Sequence, residues 1–247
     1  MARTHPPTLL TLVRAALRDQ ALIPRGTRVL VAVSGGPDSM ALLHVLAGLR
    51  SAGGFGLFAH GVDHGLRPEA GEELDLAEAF CRSLEVPFSR ESVRLAQGGN
   101  LQARARDVRW ASLRTAASRT SADRIATGHH ADDRAETLLM RLLRGTGPGG
   151  LAVLPPRDGD RIRPMIRARR ADVDAHVARH RIPHALDPSN DSPRYLRTRV
   201  RRELIPQLLR LSPRVVEHLC ALADSAAVEM AARGAGASAS AGKDRKR

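Results

Sequence analysis

The stretch Val29-Leu30-Val31-Ala32-Val33, followed by Ser34-Gly35-Gly36-Pro37-Asp38-Ser39, decides the fold of this protein. Five apolar residues without alternation predict a strand that is buried on both faces, as in a parallel sheet. After the glycine turn, apolar residues recur with helical spacing between Met40 and Leu49, which predicts a helix with one face on the sheet. A strand, a glycine turn and a helix in this order are the start of a βαβ unit.

The alternation of strand and helix continues along the chain. Further strands are predicted at 56–62, 88–93 and 124–127, and further helices at 72–84, 101–118 and 133–143. The sequence therefore predicts the α/β class, with an open parallel sheet and helices on both faces. In such a sheet, ligands bind at the carboxyl ends of the strands.

The chain is strongly basic. Among its 247 residues, 39 are Lys or Arg and 26 are Asp or Glu, and the formal net charge of +13 predicts an acidic partner such as nucleic acid. Only one Trp, one Tyr and four Phe accompany that charge, so an RNA contact would depend on arginines rather than on stacked rings. Both lysines, Lys243 and Lys246, lie near the C-terminus, so no lysine follows the glycine turn as it does in a Walker-type loop.

The cysteines and the hydropathy exclude other classes of protein. Cys81 and Cys220 form no CxxC pair, which predicts two reduced, buried residues and neither a zinc ribbon nor a dithiol redox site. Residues 1–20 contain no uninterrupted apolar segment, and no run approaches 18 apolar residues. We expect a soluble, cytoplasmic protein that does not enter a membrane.

The glycine turn has the composition of an anion-binding loop. Its glycines let a ligand approach the backbone, the hydroxyls of Ser34 and Ser39 can donate to phosphate oxygens, and the following helix offers unpaired N–H groups. Asp38 is unusual there, because a carboxylate repels phosphate unless a divalent cation bridges the two. The alternative is a plain turn in which Asp38 or Ser39 caps the helix.

The composition changes after the glycine-rich stretch at 145–150. Residues 161–202 hold twelve arginines and four aspartates, a surplus that favours an RNA-binding segment over an ordinary solvated face. Helices are predicted at 171–180 and 194–211. The small residues and terminal charges of 233–247 predict a disordered tail.

Several motifs together resemble those of one known family. The turn Ser34-Gly35-Gly36-Pro37-Asp38-Ser39 resembles the SGGxDS loop of the PP-loop (N-type) ATP pyrophosphatases, and further motifs resemble the tRNA(Ile)-lysidine synthase family within that superfamily. These motifs are Val62-Asp63-His64-Gly65-Leu66-Arg67, Ala105-Arg106-Asp107-Val108-Arg109-Trp110, Gly128-His129-His130-Ala131-Asp132-Asp133-Arg134-Ala135-Glu136-Thr137, Asp187-Pro188-Ser189-Asn190 and Arg197-Thr198-Arg199-Val200-Arg201. The resemblance spans residues 29–209 and implies a short form without the C-terminal domains of longer members. Trp110 replaces a usual Tyr and Thr198 a usual Asn.

The resemblance implies an ATP-dependent ligase that modifies RNA. Such an enzyme adenylates C2 of the wobble cytidine in the CAU anticodon of a tRNA(Ile) precursor, and L-lysine then displaces AMP. Pyrophosphate is the other product, and the codon and aminoacylation specificity of the tRNA changes from Met to Ile. The implied cofactors are ATP and Mg²⁺. The implied partners are tRNA(Ile), lysine and a second copy of the chain, since a homodimer could replace missing tRNA-binding domains.

Candidate site residues follow from these motifs. The expected nucleotide-binding set is Ser34, Gly35, Gly36, Pro37, Asp38, Ser39, Asp63, Gly128 and His129. The expected catalytic set is Asp38, Arg106, Asp132, Asp133 and Glu136. In it, Asp38 binds Mg²⁺ or organises the pyrophosphate side, Arg106 clamps phosphate or adenylate, and the other acids orient and deprotonate the lysine ammonium. The expected tRNA-binding set is Arg197, Arg199, Arg201 and Arg202.

Simpler interpretations exist for the acidic motif. Asp133 and Glu136 have the spacing of a helix capping box, with Asp in place of Ser or Thr. His129 and His130 with Asp132 could ligate a metal ion, although adjacent histidines need not point at one centre.

Two other motifs are also ambiguous. Gly145, Gly147 and Gly150 match the dinucleotide-binding pattern by letters, but they follow a helix rather than a strand, which predicts a flexible flap near the nucleotide. Asp63 with His64 could contact adenine or RNA, or could close a turn.

The predicted organisation is a PP-loop domain at 1–160, a basic helical tRNA-contacting segment at 161–232 and the tail at 233–247. Three alternative functions remain open: a tRNA thiolase of the same superfamily, a non-catalytic RNA-binding module, and a metal-dependent phosphohydrolase built on 129–133. A thiolase that uses a cysteine pair needs thiols near the site, and Cys81 with Cys220 is a poor candidate pair.

Overall fold

The computed structural model describes residues 7–63, 65, 70–93, 101–185 and 195–241. Contacts divide the chain into two compact units: Met1–His130 with Pro156–Asp187, and Ala131–Pro155 with Pro188–Arg247. The boundaries between these compact units differ from the predicted boundaries between functional segments, at 160 and 232. The reason is that residues following 155 complete the sheet of the first unit, whereas those before it pack with the C-terminal helices. The functional boundaries remain predictions.

The first unit is built on a six-stranded sheet. Its strands are β1 (Arg28–Val33), β2 (Gly56–Asp63), β3 (Phe88–Ser92), β4 (Arg124–Ala126), β5 (Arg157–Asp158) and β6 (Arg161–Ile162). Their order is β3-β2-β1-β4-β6-β5, and all neighbours are parallel except β5 and β6. The predicted α/β class with a largely parallel sheet is confirmed. The antiparallel hairpin was not predicted, because two-residue strands leave no hydropathy pattern.

The described part of the chain contains nine α-helices. They are α1 (Leu9–Asp19), α2 (Pro37–Gly53), α3 (Ala70–Ser83), α4 (Leu101–Thr120), α5 (Ala131–Leu143), α6 (Arg170–His180), α7 (Leu196–Arg199), α8 (Ile205–Leu211) and α9 (Val215–Ala241). The predicted strands agree with these bounds to within one residue, and α3, α4, α5 and α6 agree to within two. Helix α2 is longer than predicted at both ends, the helix predicted at 194–211 is divided into α7, a π-helical turn and α8, and α1 and α9 were not predicted. In the ranges that the structure describes, every helix is too short or too polar to cross a membrane.

Helices cover both faces of the sheet in the first unit. Successive residues of a strand point to opposite faces. Val29, Val31 and Val33 accordingly pack into a core shared with α1, α2, α3 and α6. Leu30 and Ala32 pack instead against α4. Both faces of β1 are therefore buried, which explains the unbroken apolar run in the sequence.

The second unit is helical. Helices α5, α7, α8 and α9 enclose an apolar core that includes Leu139, Ile205 and Val216. Between α7 and α8, Val200–Leu204 forms a π-helical turn. Helix α9 continues to Ala241, into the segment predicted to be a disordered tail, because an alanine-rich sequence favours helix. Residues 242–247 lie outside the described ranges.

The start of α5 corrects one interpretation of the acidic motif. The helix begins at Ala131, so Asp133 is its third residue and not its N-cap. A capping box between Asp133 and Glu136 is therefore wrong. Asp132 and Asp133 still lie in the first turn, where carboxylates favour the helix dipole.

Candidate functional site

The strand order places a ligand-binding edge between β1 and β4. From β1 the chain proceeds outward to β2 and β3, and it then returns to add β4 on the other side of β1. Ligands of open parallel sheets bind at such a reversal, outside the carboxyl ends of the strands. Two segments emerge there, the glycine turn 34–39 after β1 and residues 127–130 after β4.

The glycine turn is shaped by its backbone and by two serines. Gly35 has a φ of +78°, and a Cβ on it would lie 2.7 Å from the carbonyl oxygen of Glu73, so a side chain is excluded. The hydroxyl of Ser39 donates to the carbonyl of Gly36 at 2.9 Å and accepts from the N–H of Ser34 at 3.2 Å. These bonds close the turn around the start of α2.

Helix α2 begins at this turn without a side-chain cap on its N-cap residue. Gly36 occupies the N-cap position, has no side chain to cap the helix, and is followed by Pro37. The N-terminus of α2 therefore combines donor groups with the positive end of the helix dipole, which is a ready anion-binding arrangement. The interpretation of Asp38 or Ser39 as a simple N-cap is wrong, because both lie inside the helix.

Gly128 lets β4 approach the glycine turn. A Cβ on Gly128 would lie 3.0 Å from the carbonyl carbon and oxygen of Asp38 and 3.1 Å from the nitrogen of Ser39. The next residue, His129, is held by a hydrogen bond between its Nδ1 and the Oγ1 of Thr127 at 2.8 Å. Of the expected nucleotide-binding residues, the structure therefore brings Gly128 into direct contact with the turn.

The carboxylate of Asp38 lies between two basic side chains. Its Oδ2 accepts a hydrogen bond from Nη2 of Arg170 at 3.2 Å. Its Oδ1 lies 3.8 Å from Nε2 of the fully buried His130. Arg170 was not among the expected site residues, because no local motif marks a contact between residues 132 positions apart. A second unexpected contact is the hydrogen bond from the N–H of Ala185 to the carbonyl of Gly35, at 2.9 Å.

Asp63 closes a turn at the end of β2. Its Oδ1 accepts the N–H of Gly65 at 2.8 Å, and its carbonyl accepts the N–H of Val93 at 2.7 Å. The turn-closing interpretation is thus confirmed, while a contact with adenine stays a prediction. His64 lies outside the described residues, as do Leu66, Arg67, 187–190 and Arg194.

Helix α4 carries the expected clamp residue Arg106 on an exposed surface. Burial lowers the pKa of the neighbouring Arg109, and the positive charge of Arg106 lowers it further. On the same helix, the ring of Trp110 is covered by the guanidinium of Arg161, 3.8 Å from the ring centroid. Trp110 therefore serves as a partner for an arginine of the same unit.

The acidic motif in the second unit is paired with arginines of that unit. Glu136, whose side chain is 1% exposed, accepts hydrogen bonds from Arg197 Nε at 2.7 Å and from Arg201 Nε at 2.6 Å. Asp133 accepts one from Arg197 Nη2 at 2.8 Å and lies 3.5 Å from Arg201 Nη2. The expected catalytic acids and two of the expected tRNA-binding arginines thus form one ionic cluster. Asp132, the residue before Asp133, is partly exposed.

The other two expected tRNA-binding arginines are exposed. Arg199 lies 3.5 Å from Glu203 with 60% of its side chain accessible, and Arg202 is exposed on the π-helical turn. Thr198, which replaces the usual Asn of the family, is buried. Its side chain therefore belongs to the packing of the second unit.

The glycine-rich stretch after α5 is fixed by two arginines. Pro148–Leu151 forms a 3₁₀ turn, and Arg141 donates to the carbonyl of Gly150 at 2.6 Å. The buried Arg134 donates from Nε to the carbonyl of Val153 at 2.9 Å. These bonds hold Gly150 and Val153 within the second unit, and the flexible flap near the nucleotide stays a prediction.

The described residues contain no group of three or more His, Cys, Asp or Glu side chains arranged to hold a metal ion. Both cysteines are reduced; Cys81 is buried and Cys220 is half-buried. Burial raises the pKa of the Cys81 thiol to about 12 and that of Cys220 to about 11, so neither is a ready thiolate.

The glycine turn and the sheet around it define a known class of protein. A family model described as a PP-loop domain matches residues 11–208. The U34-tRNA thiolase NcsA from Methanococcus maripaludis, solved with its [4Fe-4S] cluster, has the same fold: the TM-score is 0.76 over 88% of this chain and 76% of that one, at 19% sequence identity. The chain is therefore a member of the PP-loop domain family.

Curated relatives narrow the family further. The tRNA(Ile)-lysidine synthase of Thermobifida fusca is 41% identical over 89% of this chain and 68% of its own length. Those of Pseudomonas aeruginosa and Symbiobacterium thermophilum are 42% and 39% identical, over 75% and 87% of this chain and 43% and 47% of their own lengths. Within the PP-loop proteins, the chain belongs to the tRNA(Ile)-lysidine synthase family. It spans about half the length of most of the curated relatives it matches.

Proposed function

We propose that this protein uses ATP to join lysine to C2 of the wobble cytidine in the CAU anticodon of a tRNA(Ile) precursor. The observation that carries the proposal is the turn at the start of α2, which joins an N-terminus without a side-chain cap to the hydroxyls of Ser34 and Ser39 and has Asp38 where a Walker-type loop has a lysine. Membership of the tRNA(Ile)-lysidine synthase family supports the choice of substrate.

The proposed reaction has two steps. The C2 oxygen of cytidine attacks the α-phosphorus of ATP, the bond between the α- and β-phosphates breaks, and pyrophosphate leaves. The ε-amine of lysine then attacks C2, the bond from C2 to the adenylate oxygen breaks, and AMP leaves. The amine loses its protons to a base, and carboxylates are suitable acceptors when they also position the ammonium.

Asp132, Asp133 and Glu136 are the proposed acids for the lysine step. Asp133 and Glu136 already bind the cationic side chain of Arg197, which supports an affinity of this cluster for cations. A lysine ammonium would compete with that guanidinium for the same oxygens. The proposal therefore requires the ion pairs of Arg197 to weaken when substrate binds.

Mg²⁺ fits the turn only together with the nucleotide. Asp38 offers one carboxylate, 30% exposed, and Mg²⁺ is commonly held by one or two carboxylates plus substrate phosphates. With ATP bound, Asp38 would hold the ion, which would neutralise charge on the departing pyrophosphate. Arg106, exposed on α4, is the proposed phosphate clamp because its motif resembles that of the family.

Arg199 and Arg202 are the proposed tRNA-phosphate contacts, because both are exposed. We also propose that two copies of the chain bind tRNA together as a homodimer. Sedimentation of the chain with and without tRNA tests this part.

A thiolase activity is disfavoured by the cysteine content. Iron–sulfur clusters are held by cysteine thiolates, usually four. The whole sequence contains only Cys81 and Cys220. The likeness to the thiolase NcsA therefore extends to the fold alone.

The test is a product assay with ATP, lysine and a tRNA(Ile) transcript that has a CAU anticodon. We expect AMP and pyrophosphate in amounts that depend on both tRNA and lysine, and a tRNA whose mass has increased by one lysine residue. ADP and orthophosphate as the tRNA-dependent products would overturn the proposal. Asp38→Asn should abolish AMP formation, while Glu85→Gln, at an 89% exposed side chain of the same unit, should leave it unchanged.

A further inference from the structure

A cation reaches the nucleotide turn from a distant part of the chain. Arg170, the first residue of α6, donates a hydrogen bond to Asp38, the second residue of α2. About a third of each side chain is exposed, so the pair lies at the surface of the first unit beside the turn. The turn itself contains no basic residue.

Arg170 is supported by buried structure. A carboxylate oxygen of Asp172 accepts the N–H of Arg169 at 2.8 Å, which fixes the start of α6. Val173, in the first turn of the helix, is fully buried in the core shared with α2, and Met165 in the preceding segment is also fully buried. A guanidinium on such a fixed support loses little conformational entropy when it binds an anion.

The charges explain why the turn needs this residue. An isolated carboxylate at the start of α2 would repel a phosphate chain and would cancel part of the helix dipole. Arg170 neutralises Asp38 and adds a planar donor group whose geometry matches phosphate oxygens. In a Walker-type loop, a lysine of the loop itself provides the positive charge.

We propose that Arg170 binds the phosphate chain of ATP at the glycine turn and that, before the nucleotide arrives, it holds the carboxylate of Asp38 in position. The inference rests on the proposed function in that it requires ATP to bind at this turn. Arg170, on α6, thereby supplies the positive charge that a lysine of the loop supplies in a Walker-type loop.

The test compares ligands that differ in phosphate content. Calorimetric titration of the full chain with ATP, pyrophosphate and adenosine is carried out for the wild type, Arg170→Met and Arg170→Lys. We expect Arg170→Met to weaken ATP and pyrophosphate binding by about tenfold or more, as for the loss of a charged hydrogen bond, and adenosine binding by less than about twofold. Arg170→Lys should lie between the wild type and Arg170→Met.

Arg167→Met is the matched control. Arg167 lies three residues before Arg170, is 51% exposed, and contacts Asp19 at 3.6 Å instead of the turn. Its replacement removes the same charge and should change the affinity for each ligand by less than about twofold. Melting curves of all variants check that the first unit stays folded.

A second measurement tests the link between Arg170 and Asp38. Without Mg²⁺, Asp38→Asn should tighten pyrophosphate binding, because one repelling charge is lost and Arg170 no longer has an ionic partner there. Adding Arg170→Met to Asp38→Asn should weaken pyrophosphate binding relative to Asp38→Asn alone by about tenfold or more. Equal affinity of the single and the double variant would contradict the assignment.

The outcomes separate this inference from the proposed function. If wild-type ATP binding is measurable and Arg170→Met binds ATP and pyrophosphate equally well, the assignment of Arg170 is overturned and the proposed function is not. Equal losses for ATP and adenosine would make Arg170 a structural residue only, which also overturns the assignment. If the wild type does not bind ATP, both fail.

Discussion

Gly128 lies directly against the backbone of Asp38, so closely that a methyl group on Gly128 would come within 3.0 Å of the Asp38 carbonyl. The end of β4 and the start of α2 are thus in contact through backbone atoms, and neither can yield as a flexible side chain would. This contact sets the position of the glycine turn relative to β4 within the first unit.

Gly128→Ala should therefore displace the turn. We expect a loss of about 1–3 kcal/mol in the free energy of unfolding, as for overpacked sites, together with weaker ATP binding. Gly48→Ala is the control, because Gly48 lies in α2 and a Cβ added there would have no atom within 4 Å. This variant should gain about 0.5–1 kcal/mol in the free energy of unfolding, since alanine favours helix over glycine. Urea unfolding measures both, and a Gly128→Ala variant as stable as the control would refute the contact.

Glu136 should be important for stability as well as for activity. Its buried carboxylate accepts hydrogen bonds from two arginines, and Glu136→Gln leaves Asp133 as their remaining carboxylate partner. We expect a loss of about 1–3 kcal/mol in thermal or urea unfolding, because charged hydrogen bonds to a buried oxygen are lost while the arginines, 43% and 35% exposed, keep Asp133 and water.

Glu203→Gln provides the comparison for Glu136→Gln. Glu203 is 55% exposed and pairs with Arg199 at 3.5 Å, so its replacement should cost less than about 1 kcal/mol. Similar losses for the two variants would show that the cluster around Glu136 is no stronger than a surface ion pair.

The exposed arginines should account for the salt dependence of tRNA binding. Arg199→Gln and Arg202→Gln should each flatten the slope of log affinity against log salt by about 0.7–0.9 without lowering the melting temperature. Arg18→Gln, at a 78% exposed side chain on α1, is the control and should leave the slope unchanged. If neither Arg199→Gln nor Arg202→Gln alters the slope, these side chains are ordinary surface charges.

A histidine cluster between α2 and α6 should make stability depend on pH. Burial, together with the neighbouring charges of His180, His44 and Arg179, lowers the pKa of His176 from 6.5 to about 4. The unfolded chain therefore binds a proton more readily than the folded one, so stability is complete above pH 6.5 and falls as the pH drops toward 4. The loss is roughly 3 kcal/mol at most.

His176→Gln should remove much of that pH dependence, since Gln does not titrate. The control is His218→Gln, at an exposed position on α9, which should keep the wild-type curve of melting temperature against pH. A wild-type protein whose melting temperature is constant between pH 7 and pH 4.5 would rule out the contribution of His176.

The sequence predicts well those features that depend on neighbouring residues. The unbroken apolar run of β1 and the glycine turn after it predict the parallel sheet and the position of Asp38 at its edge, because periodicity and turn chemistry are local properties. The start of α5 was missed by two residues, which was enough to change Asp133 from an apparent cap into a partner of Arg197.

Contacts between distant residues could not be predicted in this way. The arginine surplus of 161–202 was interpreted as one RNA-binding surface, yet Arg161 covers Trp110, Arg170 binds Asp38, and Arg197 and Arg201 bind the acidic motif. A count of charges cannot distinguish an arginine that faces solvent from one that neutralises a carboxylate of the same chain. Only the folded backbone provides that information.

The interleaved order of the two units constrains how this gene can recombine. The chain passes from one unit to the other at 130/131, at 155/156 and at 187/188. A single crossover between two related genes therefore exchanges parts of both units unless it falls beyond the last junction. A crossover between 188 and 196 takes Asp133 and Glu136 from one parent and Arg197 and Arg201 from the other. The two halves of this ionic cluster are thus inherited from different parents in such a chimera, and they must remain compatible.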